Sequence, residues 1–403
     1  MIKISFMDVL KVVNEIKETC LNKGQEGLLE LSKKFDKLES NSLIMSIPDK
    51  IDIDKELQES IKTSYENLMI FHNAEFKKLN NFKKDKIKTS KGITCWRKFT
   101  PIENVGVYVP NMLFSSALMN IIPAKIAGCK NIVVCTPPNP SKTILYTLQV
   151  LGIKQIYTIG GAQAIFAMAY GIGEVPKVDK IFGPGNEFVD TAKKMVSQFV
   201  AIDMPAGPSE VLVITDKTAN KEDTMYDLLA QLEHGKESKA WLFTTDKQQA
   251  EWINTNIKTV AEQSNRWFLL EKSLNNLQIE VVNNLDEAVK KNNKIAPEHL
   301  IINTENAEKI AEKITNAGSV FIGKYTSESL GDYLSGTNHV LPTSGFAKGF
   351  SGLSVLSFGK FITFQTATKN GLQNVGKKTM CMAQNEGLGF HSKSIESRLN
   401  KEK

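Results

Sequence analysis

The sequence predicts an α/β protein made of two α/β domains and a smaller C-terminal extension. Three observations predict it. From about residue 105, short apolar runs recur, each stopped by Gly or Pro. Segments of helical periodicity separate those runs, and a second series of the same kind begins near residue 209. Such alternation is the mark of βαβ units wound around mostly parallel sheets. At 403 residues the chain is also long for a single hydrophobic core.

Residues 6–39 and 50–80 come first, with helical periodicity and outer faces rich in Lys and Glu. The first strand series is "VGVYVP" (105–110), "NIVVCTPP" (131–138), "QIYTIGG" (155–161) and "VDKIFGPG" (178–185), with helices expected over 115–128, 140–152, 162–170 and 186–199. The second is "SEVLVITD" (209–216), a helix over 222–234, "KAWLFTTD" (239–246), "EVVNN" (280–284), "EHLIINT" (298–304), a helix over 305–316, and "GSVFIG" (318–323). From about 354 the chain reads as irregular and polar. No fixed-period repeat is visible.

Composition narrows the function classes. A net charge of +6 over the whole length is too dilute to argue for nucleic acid. The densest basic stretch, "KKLNNFKKDKIKTSK" (77–91), has one Phe and reads as a solvated surface. No apolar run approaches the roughly 18–20 residues that span a bilayer, and the first residues do not form a signal peptide. The 5 cysteines are scattered, without a C-x-x-C pair, which suits reduced thiols in a cytoplasm. The reading is a soluble cytoplasmic protein.

Several short stretches can carry chemistry. "IAPEHL" (295–300) sets Glu298 beside His299, either a plain loop-to-strand junction or two proton carriers in one cleft. In "LLAQLEHG" (228–235), Gln231 and His234 are three apart and share a helix face. They can hold a metal, or His234 can simply cap the helix end before Gly235. "SLGDYLSGTNHVLPTSG" (329–345) reads as a polar, Gly-rich loop with Asp332 and His339; Asp332 is a metal ligand or the fastener of a turn. "DKIFGPGNEFVDTAKKMV" (179–196) puts Asn186 near a helix N-terminus, a favourable place for an anion such as phosphate. "IGGAQAI" (159–165) puts Gln163 at a strand-to-helix turn. Neither is the G-x-G-x-x-G dinucleotide fingerprint, which is absent. Ser209 follows Gly-Pro just before a strand, for substrate binding or plain turn chemistry. Glu386 and His391 stand in "NEGLGFH" (385–391). Of the 5 histidines, all but His72 fall in these segments.

Together the segments resemble the histidinol dehydrogenase family. "VPKVDKIFGPGN" (175–186), "AIDMPAGPSEVLVI" (201–214), "QLEHG" (231–235), "APEHL" (296–300), "GDYLSGTNHVLPT" (331–343) and "EGLGFH" (386–391) occur in the family's order across nearly the whole chain. The resemblance implies NAD-dependent, four-electron oxidation of L-histidinol through L-histidinaldehyde to L-histidine, in histidine biosynthesis. It implies one Zn2+ per subunit, held by Gln231, His234, Asp332 and His391. His299 becomes the general base and Glu298 the group that activates water. Substrate contacts fall to Ser209, Gln231, His234, His299, Asp332, Glu386 and His391, and NAD contacts to Tyr108, Gln163 and Asn186. The implied fold is two incomplete Rossmann-like domains in a homodimer whose tail completes the neighbour's active site. On this reading the chain divides into residues 1–106 with 209–353 on the zinc and substrate side, 107–208 on the NAD side, and a 354–403 tail.

The chain departs from the family pattern in two places. After "YVP" the family has a glycine pair and a longer loop, whereas "YVPNMLFSSALM" (108–119) carries Asn111 and Met112 there, close to the expected NAD contact Tyr108. The helical stretch 12–36 also begins almost at once, so a shorter dimerising arm and a weaker dimer are expected. Two other readings compete: a zinc hydrolase in which Glu298 drives metal-bound water, and a non-catalytic zinc- or nucleotide-binding homologue. The hydrolase reading lacks the H-E-x-x-H motif.

Overall fold

The structure, a computed structural model, describes residues 6–111, 113–204 and 207–400. Its strands are β1 (Ile44–Ser46), β2 (Ile87–Ser90), β3 (Ile93–Pro101), β4 (Asn104–Tyr108), β5 (Asn131–Thr136), β6 (Gln155–Thr158), β7 (Lys180–Phe182) and β8 (Ala201–Ile202). The series continues with β9 (Glu210–Thr215), β10 (Lys239–Thr244), β11 (Leu277–Val281), β12 (His299–Asn303), β13 (Ser319–Ile322) and β14 (Gly359–Ala367).

Three sheets result. The first has the order β1-β6-β5-β4-β7-β8, the second β11-β10-β9-β12-β13, and the third β14-β3-β2. The second sheet is parallel throughout. In the first, β4 to β8 are parallel and only β1 runs antiparallel, against the edge strand β6. Both parallel sets wind alike. The earliest strand lies in the centre, the next two go to one side, and the last two go to the other. That is the strand order of a doubly wound sheet without its last strand. Sequence alone reveals no repeat because the two halves share winding, not residues.

The central strands read as apolar runs because both of their faces are covered. Val211 to Ile214 on β9 and Leu300 to Ile302 on β12 are all at most 1% exposed. Each such side chain contributes about 1.5–3 kcal/mol on burial. Helix Phe6–Asp36 buries Val9, Val13, Ile16 and Cys20, whose spacing by four and three places them on one stripe. That stripe packs in one cluster with Ala162 to Ala169 of helix Gly161–Tyr170.

This packing redraws the expected division of the chain. Helix Phe6–Asp36 and β1 attach to the first sheet, and helix Lys55–Asn81 buries Ile61 and Leu68 against helix Phe114–Ala127 beside it. Helix Phe6–Asp36 and β1 therefore pack with the 107–208 segment, helix Lys55–Asn81 packs there and also bonds the Tyr333 and Leu334 carbonyls, β2 and β3 go with β14, and the 106/107 boundary falls inside β4. The physical reason is an edge: β1 covers β6, whose unpaired N–H and C=O groups would otherwise be exposed.

The C-terminal region is regular rather than irregular. β14 pairs with β3 over nine residues, and helices Lys369–Asn385 and Gly389–Leu399 follow. Its strand is mostly exposed, so the polar composition hides a regular backbone. Elsewhere the helix expected over 305–316 shrinks to Ala307–Ala311. Among the described residues, no helix is long and apolar enough to cross a membrane.

Candidate active site

Glu298 and His299 sit where β12 begins, at the amino edge of the second sheet. Helix Leu285–Ile295 ends in Ala296, a non-glycine residue in the left-handed region at φ 57° and fully buried. Pro297 then steers the chain into the strand. Both side chains lean on Glu210, the first residue of β9. The Glu298 Oε2 accepts the Glu210 main-chain N–H at 2.9 Å, and His299 Nδ1 donates to the Glu210 carbonyl at 3.1 Å. Because a carbonyl only accepts, this bond puts the ring proton on Nδ1 and leaves Nε2 as the basic nitrogen. That Nε2 is buried without a hydrogen-bond partner, and Asp332 Oδ1 lies 3.8 Å from it.

Glu210 is itself held firmly. Lys239 Nζ reaches its Oε1 at 3.2 Å, and the Ser344 N–H donates to its Oε2 at 3.0 Å. The anchor for the pair is therefore a buried residue with its own side chain fixed.

Asp332 arrives on a helix, Glu328–Tyr333, not in the loop expected from its glycines. Ser327 caps that helix through the Leu330 N–H. Gly331 lets it lie on β13, since a Cβ there would meet the Phe321 ring at 2.4 Å. The same Phe321 ring lies 5.9 Å from the His299 ring, so one aromatic packs between the helix and His299. His339 holds the far end, its Nδ1 donating to the Asp332 carbonyl at 2.9 Å.

Gln231 and His234 close the cluster from the end of helix Lys221–Leu232. Their side chains meet at 3.0 Å, amide to Nδ1. Turning the Gln231 amide so that its nitrogen faces Glu328 suits Glu328 and His234, and it leaves that nitrogen 3.2 Å from His299 Nδ1, the atom that faces the Glu210 carbonyl. The amide nitrogen then donates to Glu328 at 2.6 Å (Oε1) and 3.3 Å (Oε2), and the amide oxygen accepts from His234 Nδ1 at 3.0 Å. Glu328 is a component that the sequence reading missed. It is 2% exposed and 3.7 Å from His299 Nδ1. The available signal was its place four residues, one helical turn, before Asp332.

Burial dominates the electrostatics. It pushes His299 down to about 3, against the pull of the Glu210 carbonyl, with His234 and His339 adding to the drop. Burial therefore favours the neutral His299 imidazole. Burial raises Glu298 well above the carboxylate range, opposed by the Glu210 N–H and assisted by Asp332 and Glu210. It raises Glu328 likewise, with Asp332, Glu298 and Asp227 adding to it. Asp332 is pushed up to about 6 by burial, and His234 is lowered by burial against the attraction of Asp332.

The donor set of Gln231, His234 and Asp332 (amide oxygen, imidazole nitrogen, carboxylate) suits a divalent cation such as zinc. Of the four expected ligands, Asp332 lies 3.8 Å from His299 Nε2, Gln231 lies 3.2 Å from His299 Nδ1, and His234 meets Gln231 at 3.0 Å. The fourth does not join them. Glu386 ends helix Lys369–Asn385 and His391 lies in helix Gly389–Leu399, both exposed. Among the described residues, no group of three or more His, Cys, Asp or Glu side chains comes together as a metal site within one chain. Ser209 is half-buried next to Glu210, and its carbonyl accepts the Lys239 N–H at 3.0 Å.

The residues expected to touch NAD gather at the carboxyl edge of the first sheet. Tyr108 ends β4, and its hydroxyl accepts the Gly161 N–H at 3.2 Å. Gln163 donates to Asp36 Oδ2 at 2.9 Å, and the same oxygen accepts the Gly160 N–H at 3.2 Å. Asn186 caps helix Glu187–Val196, its Oδ1 accepting from Phe188 and Val189, both at 3.1 Å. Protein groups thus already satisfy N–H donors at both helix starts, which weakens the phosphate reading of those turns. In the altered loop, Asn111 Oδ1 is buried with no partner among the described residues, and Met112 lies outside them. Only residues 203–209 separate the carboxyl end of β8 from the amino end of β9. Pro205 and Ala206 in that segment are also outside the described residues.

Comparison with known proteins adds identity to this geometry. A family model described as histidinol dehydrogenase matches residues 3–399. A histidinol dehydrogenase of Bacteroides thetaiotaomicron is 44% identical over 408 residues, covering 98% of this chain and 93% of its own. One from Haemophilus influenzae is 44% identical over 403 residues, again with 98% and 93% covered. The crystal structure of the Elizabethkingia anophelis histidinol dehydrogenase superposes with a TM-score of 0.91 at 43% identity, covering 97% of this chain and 92% of that one.

Proposed function

The chain belongs to the histidinol dehydrogenase family and is an NAD-dependent enzyme that oxidises histidinol to histidine, and from that premise we propose how its residues divide the work. The hydrolase and non-catalytic readings have no comparable support. The proposed route runs from L-histidinol through L-histidinaldehyde to L-histidine, four electrons in all.

One observation carries the assignment of roles. His299 Nε2 is a buried nitrogen with no hydrogen-bond partner, 3.8 Å from the Asp332 carboxylate, and the Gln231 carboxamide stands against the other ring nitrogen. In the proposed scheme His299 takes the alcohol proton at Nε2, held in register by its Nδ1–H bond to Glu210. Glu298 then draws a proton from the water that adds to the aldehyde. Gln231, His234 and Asp332 would hold a zinc ion, with His391 as fourth ligand, and Ser209 and Glu386 would orient the substrate. Tyr108, Gln163 and Asn186 would line the NAD site. When bound, zinc supplies a Lewis-acidic anchor for the substrate's imidazole and amine, and NAD accepts the hydrides.

We further propose that the enzyme works as a homodimer in which the tail of each subunit supplies Glu386 and His391 to its neighbour. That tail exposes Met382 (67%), Leu388 (42%) and Phe390 (85%), apolar surface of the kind that a subunit contact covers. The scattered free cysteines support a reducing, cytoplasmic setting. The deciding assay couples NAD reduction to added histidinol and measures metal on the same sample. NADH formed at two per histidinol, with one zinc per chain, is the expected result. Turnover undiminished after complete metal removal would overturn the ligand assignment.

A further inference from the structure

Glu328 is an ionisable side chain with 2% exposure beside Gln231 and His299, and the roles proposed above leave it without one. A carboxylate is rarely so buried unless partners hold it. Its partner is the Gln231 amide, 2.6 and 3.3 Å from its two oxygens. An amide keeps its shape when turned by half a revolution, so packing does not choose which end points where. Polarity chooses. With oxygen toward Glu328, two acceptors would face each other at hydrogen-bond distance. With nitrogen toward Glu328, the amide oxygen faces His234 Nδ1 and accepts its proton at 3.0 Å.

We propose that Glu328 is a positioning residue: it fixes the polarity of the Gln231 amide, and through it the tautomer of His234, so that His234 Nε2 keeps a free lone pair. The chain of donors runs one way, from His234 Nδ1–H to the Gln231 oxygen, and from the Gln231 nitrogen to Glu328. This deepens, and rests on, the reading of Gln231 and His234 as ligands. Burial, and after it Asp332, Glu298 and Asp227, favour a neutral Glu328; a hydrogen bond from the Gln231 nitrogen would favour the carboxylate. A group that orients a ligand in this way typically changes metal affinity by about 10–100-fold when removed.

The rival arrangement has the opposite polarity. A protonated Glu328 would donate to the Gln231 oxygen, and the Gln231 nitrogen would donate to His234 Nδ1. Glu328→Gln separates the two, since a neutral amide replaces a neutral acid's donor in full but can present either donor or acceptor, and so no longer imposes one direction on Gln231 as a carboxylate does. Three measurements on the full chain decide it. Imidazole 15N shifts of metal-free protein should report the Nδ1–H tautomer for His234 in the wild type and its loss in Glu328→Gln. Zinc affinity of Glu328→Gln should fall at least tenfold at an unchanged Tm. The exchange Gln231→Glu/Glu328→Gln, which puts the donor on the other helix, should recover part of that affinity. An Nε2–H tautomer in the wild type, zinc affinity within twofold for Glu328→Gln, or no recovery in the exchange would each overturn the proposal. If Gln231→Ala binds zinc as tightly as wild type, the ligand reading fails instead, while the metal-free tautomer still judges Glu328. Should Glu328→Gln fail to fold, the wild-type spectrum decides alone.

Discussion

The Glu298 carboxylate accepts the main-chain N–H of Glu210 at 2.9 Å, across the β9–β12 pairing. His299 uses the carbonyl of that same Glu210. One peptide segment therefore orients both proposed proton carriers, and neither relies on a flexible side chain for its position.

His299→Ala should abolish histidinol oxidation while zinc stays bound. A positioned general base is worth about 10²–10⁴ in rate, so kcat should drop by at least two orders of magnitude. Atomic absorption on the purified variant checks the metal. Zinc lost together with activity would make His299 a ligand.

Glu298→Gln should separate the half-reactions. Histidinol oxidation should stay within a few-fold of wild type, while oxidation of supplied histidinaldehyde slows by about 10²–10⁴-fold. NADH yield per histidinol should then move from two toward one in a single-turnover experiment. Equal slowing of both steps would remove the division of labour.

Mixing two inactive proteins tests the shared site. His391→Ala should lose zinc affinity, because the exposed tail would no longer supply the fourth ligand. After subunit exchange with His299→Ala, some hybrid dimers contain one intact centre, so up to about a quarter of wild-type activity should return by random pairing. No recovery after exchange confirmed by mass spectrometry would place the whole site in one chain.

Gly183→Ala should damage the turn after β7. Gly183 has φ 116°, and a Cβ there would lie 2.1 Å from the Tyr108 carbonyl oxygen. The turn is also tied to a buried ion pair, Lys193 to Asp203 at 2.6 Å, through the Gly183 carbonyl and N–H. A loss of about 1–3 kcal/mol is expected in urea unfolding, with a raised KM for NAD.

Asp227 carries a pH signature. Burial, and then Asp223, push its carboxyl from 3.8 up to about 7. Between those values the folded protein holds a proton that the unfolded chain has released. Its contribution to stability is therefore present at low pH and is lost as pH rises through about 7. Asp227→Asn mimics the protonated form. Its stability advantage over wild type should be near zero at about pH 4 and on the order of 1–3 kcal/mol at about pH 8. A flat difference in denaturant unfolding across that range would contradict the shift.

Central strands and their helices were legible in sequence because two-sided burial writes continuous apolar runs, as in β9 and β12. The mostly exposed strand β14 was not legible, since its polar residues carry no core-facing alternation. Glu328 escaped notice for a related reason: a single acid at a helix start usually serves the helix dipole. Only its burial against Gln231 gives it another meaning.

By itself the sequence determined the α/β series, the Glu298–His299 pair, and the residues that carry the family resemblance. All of these are local, encoded in periodicity, turn residues and short motifs. The tertiary structure decided that helix Phe6–Asp36 and β1 join the first sheet, and that β2 and β3 join β14 in a third. It also brought His299 Nδ1 to the Glu210 carbonyl, and the Gln231 amide between Glu328 and His234. Those depend on partners far apart in the chain, at distances that only folding sets.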